Sequence, residues 1–215
     1  GDSRVRTRQR RISKEGKKMK LNDTIQAAID GAKSGLKKLL GQERVSQFAN
    51  KDPNNKYACF MTSLFMYFRT RYKIKLTWEQ YRDALKTSGA ITDKFYIKAE
   101  ANKGDTRFAT CAGVAPLKYC STNQKIREKI LELLLKNEPV PFALNGGEHF
   151  GSVDGYEVTD AGAILFHVDD SGAQGDTFAD GDTLEVFHTE KGVRRYSRAN
   201  DGKSKRHITR IYFFE

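Results

Sequence analysis

The sequence predicts an α+β fold in which N-terminal helices, one of them a buried helix that carries a cysteine, pack on a C-terminal antiparallel β-sheet. Two observations support this prediction. Segments with helical spacing of apolar residues come first, and strand-like segments follow from Pro139 onward. That order is typical of helices that pack on one side of a sheet. The length of 215 residues and the 38% hydrophobic content favour one globular domain.

Four helices are predicted, over residues 25–40, 57–68, 78–86 and 123–136. Gly41 ends the first helix and Thr77 caps the third. The second helix is apolar on nearly every side, which is typical of a helix that is buried all round. Turn-forming residues at 52–55 come directly before it. The chain therefore passes through a turn into a buried helix that begins at Cys59 or just before it.

Strands are predicted over residues 140–144, 149–158, 163–169, 183–188, 192–196 and 208–214. The second and third of these form an antiparallel hairpin with its turn at residues 159–162. Between residues 90 and 120 the sequence has no clean period. Only short strand-like pieces are predicted there, at 95–97 and 108–110.

The positive charge is concentrated near the N-terminus. Residues 4–20 hold nine basic side chains and one acidic one, so they supply eight of the eleven net positive charges. We expect residues 1–21 to form a basic arm or leader and residues 22–215 to form the single domain. The arm could contact nucleic acid or an anionic surface, act as a propeptide, or stay solvated. No apolar run reaches about 18 residues, so no membrane-spanning segment is expected.

Cys59 is the first residue whose position suggests chemistry. The unpaired amides and the dipole at the N-terminal end of a helix favour a thiolate, which is the nucleophilic form of cysteine. The alternative is a small core residue, since unpaired cysteines are often buried. Cys111 and Cys120 lie close in sequence and could pair, or all three thiols could stay reduced.

His149 lies where a glycine-containing loop becomes a strand, so a rigid element holds its ring beside a loop that a substrate can approach. Asp169 and Asp170 come at the end of the partner strand. In a hairpin that turns at 159–162, residues near 170 return alongside residues 149–151. An acid at that position can accept a hydrogen bond from the imidazole and fix its tautomer.

Metal binding is not expected. The four histidines, His149, His167, His188 and His207, lack the close spacing of a zinc site. The acidic stretch with Asp176, Asp180 and Asp182 lacks the EF-hand pattern. We therefore expect neither a metal nor a cofactor.

Three sequence segments, "NEPVPFAL", "GGEHFGSVDGYEV" and "ILFHVDDSG", follow the cysteine-bearing helix in that order. Together they resemble papain-like cysteine peptidases, and most of all the bacterial branch that includes the peptidase domains of double-glycine-leader bacteriocin exporters. Members of that branch place a "G-x-P-V" strand before "G-H-F-x-x-V-x-G-Y", and then an apolar strand that ends in acidic or amide residues. The resemblance covers residues 52–172.

The resemblance implies that the chain hydrolyses amide bonds in a peptide or protein without a cofactor. It implies Cys59 as the nucleophile, His149 as the base and Asp170 as the residue that orients His149, with Asp169 as the alternative. The family places a glutamine a few residues before the cysteine to bind the oxyanion. Here Asn54 and Asn55 occupy that neighbourhood, and an asparagine side chain can donate the same kind of hydrogen bond.

Two departures from the family pattern keep other functions open. The missing glutamine is one, and Phe60 is the other, because the family usually has glycine after the cysteine. They allow a catalytically inert binding or structural module. Two enzymes are further alternatives. One is a peptidoglycan hydrolase, because a cationic arm would favour binding to an anionic cell wall, and the other is a transglutaminase-like acyltransferase. The compartment stays open, and a secreted or cell-associated bacterial or phage protein is favoured over a membrane-embedded one.

Overall fold

The computed structural model describes residues 37–48, 52–98, 104–144, 146–158, 164–172, 182–188, 194–198 and 205–215. The predicted basic arm, most of the first predicted helix and the hairpin turn at 159–162 lie outside the described residues. None of the helices in the described ranges is long and apolar enough to cross a membrane.

The described residues contain four α-helices, which are α1 (Cys59–Tyr72), α2 (Trp78–Thr87), α3 (Arg107–Cys111) and α4 (Ile126–Leu135). A 3₁₀ turn (Asn55–Tyr57) precedes α1. The predicted cap of α2 is confirmed as a capping box: Gln80 N donates to Thr77 Oγ1 at 3.2 Å, and Thr77 N donates to Gln80 Oε1 at 2.8 Å. Trp78 Nε1 donates to Thr62 Oγ1 at 2.9 Å, which fastens α2 to α1.

The strands are β1 (Lys37–Leu39), β2 (Tyr119–Thr122), β3 (Val140–Leu144), β4 (His149–Val158), β5 (Ile164–Asp170), β6 (Asp182–His188), β7 (Arg194–Arg198) and β8 (Lys205–Phe214). All of their pairings are antiparallel. Strands β3 to β8 form a closed ring in the order β4-β3-β8-β7-β6-β5. The ring closes because β5 also pairs with β4. β1 joins the sheet at β4, and β2 joins it at β8. The predicted mixture of helices and antiparallel sheet is therefore confirmed.

Two local predictions are wrong. Residues 37–39, expected at the end of the first helix, form strand β1, which pairs with β4 in the register Lys37↔Glu157 and Leu39↔Gly155. A partner strand more than a hundred residues away overrides the local helical spacing. Residues 108–110, expected as strand-like, lie in the short helix α3.

Helix α1 packs against β3 and β4. Its first ten residues, Cys59 to Phe68, are all buried, as the apolar run predicts. One face of the strands meets α1 through Ala143 and Phe150. Residues on the other face, such as Phe142 and Val153, pack with the apolar side of α4. The sheet therefore lies between two apolar clusters with a helix in each, so the expectation that the helices pack on one side of the sheet is wrong. The first residue of α1 lies at the end of β4 where the site is built.

Candidate active site

Cys59 is the first residue of α1 and is only 8% exposed. The turn before it is closed by Ala58 N, which donates to Asn55 O at 3.0 Å. Thr62 then donates twice to Ala58 O, from its amide at 2.9 Å and from its hydroxyl at 2.8 Å. The amides of a first helical turn lack the usual partner four residues back, and the dipole of a 14-residue helix adds positive potential there. The backbone around Cys59 thus favours a negatively charged sulfur.

His149 is the first residue of β4, and its side chain is 20% exposed. Its Nε2 lies 2.7 Å from Asp170 Oδ1, and the Cys59 thiol lies near enough to the ring to raise its pKa. A carboxylate can only accept, so Nε2 carries the proton and Nδ1 is the nitrogen left for the thiol. Burial by itself lowers the pKa of His149. The interactions with Asp170 and Cys59 raise it by more than burial lowers it, so the pKa is raised to about 9.

The side chain of Asp170 is fully buried, and its Oδ1 accepts a second hydrogen bond, from Gly172 N at 2.6 Å. Asp169, the alternative acid, is the neighbouring residue of β5, where successive side chains point to opposite faces. It accepts a hydrogen bond from Gln42 Nε2 at 2.7 Å. The two acids have different contacts because Asp170 pairs with Gly151, as the sequence predicts, whereas Asp169 pairs with Ser152. Of the two acids, Asp170 is the one that contacts His149.

The two oxyanion candidates differ in their surroundings. Asn55 is 5% exposed and lies in the turn that leads into Cys59. Asn54 sits nearer the surface, and its Nδ2 donates to Asp93 O at 3.3 Å. That bond directs the Asn54 amide toward a neighbouring loop. Asn55 is therefore the more buried of the two candidates.

A cleft of about 230 Å³ opens beside Cys59. One wall is aromatic, with the rings of Tyr57 and Tyr96 5.1 Å apart and Tyr96 51% exposed. The cleft is also lined by the turn through Gly146 and Gly147, whose φ angles of 81° and 113° favour glycine. The cleft thus offers an apolar surface and a stretch of backbone without side chains.

Phe60, one of the two departures from the family pattern, belongs to the core. Its ring packs edge-on against four aromatic rings at centroid distances of 5.0 to 6.2 Å, those of Phe108, Tyr119, Phe150 and Tyr212. The same ring forms part of the cleft lining next to Cys59. The residue after the cysteine therefore joins the helix to the sheet.

Gln47 is a residue at the site that sequence reasoning missed. It lies twelve residues before Cys59, outside any recognisable motif, and is 3% exposed. Its proximity to the site is evident at Gly172. A Cβ atom there would lie 2.8 Å from His149 Cε1 and 3.5 Å from Gln47 Oε1. The position of Gln47 depends on its hydrogen bonds with Ser171, which is distant in sequence, so no local pattern can indicate it.

The other cysteines and the metal question can be stated briefly. Cys111 is a half-buried reduced thiol whose Sγ lies 3.5 Å from Ala84 O, so the pairing with Cys120 that the sequence left open is not formed. Within the described residues, no group of three or more histidine, cysteine or acidic side chains is arranged to hold a metal ion.

No protein-family model matches this chain, and no curated protein matches it. Among solved structures, the chain is similar to a crystal structure of UfSP from C. elegans, with 15% sequence identity and a TM-score of 0.38. The match covers 71% of this chain and 30% of that chain, so this chain corresponds to less than a third of the other. A likeness at this level identifies no family, and the function must be inferred from the geometry of the site.

Proposed function

We propose that this chain is a papain-like cysteine hydrolase that cleaves amide bonds in a peptide or protein substrate. Cys59 is the nucleophile, His149 the general base and acid, and Asp170 the residue that orients His149. One observation carries the proposal. His149 bonds Asp170 at 2.7 Å, and its ring interacts with a cysteine at the first position of a buried helix. Nucleophile, base and orienting acid within hydrogen-bond reach are the signature of covalent catalysis.

We infer that the reaction begins with Cys59 as the thiolate and His149 as the imidazolium. The raised pKa of His149, about 9, favours the imidazolium at neutral pH. The Cys59 sulfur attacks the carbonyl carbon, and the C=O π electrons move onto oxygen. The Cys59 backbone N–H and the side-chain amide of Asn55 stabilise that oxyanion, with Asn54 as the second candidate. His149 then protonates the leaving amine as the C–N bond breaks. Water, deprotonated by His149, releases the acyl group from sulfur.

The cleft supports an extended peptide as the substrate. Gly146 and Gly147 allow a peptide backbone to approach closely, because no side chain stands between it and the turn. The exposed ring of Tyr96, next to Tyr57, offers an apolar surface for a substrate side chain. We infer that the scissile bond lies between these two walls, above Cys59.

An inert papain-like binding module is the main alternative, and thiol reactivity separates it from an enzyme. Cys111 serves as an internal reference, because it is the more exposed thiol of the two. We expect iodoacetamide at neutral pH to label Cys59 faster than Cys111, as measured by mass spectrometry of the individual peptides. His149→Ala should remove that advantage. If Cys59 reacts no faster than Cys111 in the wild-type chain, the proposal is wrong.

Hydrolysis itself is tested with a mixture of denatured proteins as substrate. New N-termini should appear with the wild-type chain and be absent with Cys59→Ala. An amine-linked product in place of new N-termini would select an acyltransferase, which uses the same three groups. Release of soluble fragments from purified peptidoglycan would select a cell-wall hydrolase.

A further inference from the structure

Gln47 makes three hydrogen bonds at the edge of the site. Its Nε2 donates to Asn55 O at 2.8 Å, and its Oε1 accepts from Ser171 Oγ at 3.0 Å. Its backbone N–H donates to Ser171 O at 2.9 Å. The side chain is only 3% exposed, and Ser171 is fully buried. All of these bonds are therefore formed in surroundings where a lost partner cannot be replaced easily by water.

The two residues that Gln47 joins belong to different halves of the site. Asn55 O is also the acceptor that closes the turn into Cys59, through Ala58 N. Ser171 directly follows Asp170, which bonds His149. One glutamine side chain thus bridges the turn that positions the sulfur and the loop that positions the imidazole. Gln47 is separated in sequence by 8 residues from Asn55 and by 124 residues from Ser171.

We propose that Gln47 is a positioning residue that holds the turn before Cys59 and the loop after Asp170 at the separation needed for the contact between Cys59 and His149. The inference rests on the proposed function. The side-chain amide of Gln47 donates to the Asn55 carbonyl, so the role proposed for it is to hold the turn and not to bind the oxyanion. Gln47 affects the reaction by setting the relative positions of Cys59 and His149. The reaction rate is sensitive to these positions, since a displacement of about 1 Å can cost a factor of about 10² in rate.

Gln42 provides a matched control within the same segment. It is 8% exposed, its Nε2 donates to Asp169 Oδ2 at 2.7 Å, and its Oε1 accepts from Ser152 Oγ at 3.1 Å. These bonds tie the segment to the side of β4 and β5 that faces away from His149. Gln42 and Gln47 thus share burial and hydrogen-bonding capacity, and differ in whether they join the two halves of the site.

The test compares Gln47→Met with Gln42→Met, since methionine fills a similar space without these hydrogen bonds. Two quantities are measured in the full chain: the melting temperature, and the rate of Cys59 alkylation by iodoacetamide against pH. We expect both variants to lower the melting temperature. Gln47→Met alone should slow Cys59 alkylation at neutral pH, on the order of tenfold, and change its pH profile.

Two milder variants keep the test informative if Gln47→Met fails to fold. Gln47→Glu still accepts from Ser171 but cannot donate to Asn55 O at neutral pH, and Ser171→Ala removes the other bond. Each should slow alkylation by less than the loss of both bonds. An unchanged profile in all Gln47 and Ser171 variants would overturn the positioning role, as would an equal change in Gln42→Met. A wild-type Cys59 no more reactive than Cys111 would instead refute the proposed function, and this inference with it.

Discussion

Gly151 and Asp170 are direct cross-strand partners in the β4–β5 hairpin. This pairing brings the Asp170 carboxylate to 2.7 Å from the ring of His149, which lies two residues before Gly151 on β4. The backbone ladder of the sheet, which is among the more rigid parts of a protein, therefore fixes the geometry between the base and its acid. The thiol is the element that has to be brought to this pair from a different part of the fold.

Replacing Asp170 should impair the site far more than replacing its neighbour. Asp170→Asn removes the negative charge beside the ring and adds an amide that can donate to it, so the imidazole can adopt the wrong tautomer. We expect peptide hydrolysis to fall by on the order of 10²–10⁴. Asp169→Asn is the matched control, because its contact is with Gln42, and it should retain most of the activity. Equal losses in the two variants would contradict the assignment.

The pH dependence follows from the raised pKa of His149, at about 9. The imidazolium form protonates the leaving amine, so hydrolysis should persist through neutral pH and decline as pH rises through about 9. A histidine NMR titration measures the midpoint directly. Asp170→Asn should move that midpoint downward, because it removes a negative partner of the imidazolium. A wild-type midpoint near the ordinary value of 6.5 would contradict the expected ion pair.

Gly172→Ala should damage the site while leaving the strands in place. The added Cβ would lie 2.8 Å from His149 Cε1, and the ring cannot move away easily because Asp170 holds it. We expect Cys59 alkylation at neutral pH to slow by about tenfold or more. The melting temperature should fall only modestly, because the clash involves one side chain at the site. Wild-type reactivity in this variant would mean that the ring has room to shift.

Phe60→Ala tests whether the residue after the cysteine is structural. Its ring is 3% exposed and packs among four aromatic rings, so truncation should lower the free energy of unfolding by about 3–5 kcal/mol. Tyr96→Ala is the surface control, with a ring that is 51% exposed, and should cost less than about 1 kcal/mol. Denaturant unfolding measures both. In hydrolysis, Tyr96→Ala should instead raise KM if the ring binds substrate.

Local signals in the sequence were enough for the elements nearest the site. Strands β3 and β4 begin and end where predicted, since turn residues flank both and the apolar pattern within them is strong. The capping box at Thr77 is a contact between residues three apart, so it too is visible in the sequence. Because β4 and β5 are consecutive antiparallel strands, the approach of residue 170 to residues 149–151 could also be predicted, whereas the register shift between Val153 and Gly155 could not.

Other features depend on partners that are distant in sequence. Strand β1 exists because β4 accepts it, and its own three residues carry no strand signal. Helix α3 has five residues, which is too short for a period to be recognised. Gln47 lies in the site because of Ser171, so nothing around residue 47 indicates its place. The sequence therefore predicts six of the eight described strands and the candidate residues of the site, but not the segment that links its two halves.

The bridge made by Gln47 also bears on when the site can exist. Gln47 and Ser171 are separated by 124 residues, and a ribosome adds about 5–20 residues per second. The turn before Cys59 therefore waits on the order of 10 s for the strand that carries Asp170 to be made. During that interval Cys59 lacks both the ring of His149 and the hydrogen bond between Gln47 and Ser171. The proposed site can therefore form only after synthesis has passed residue 171.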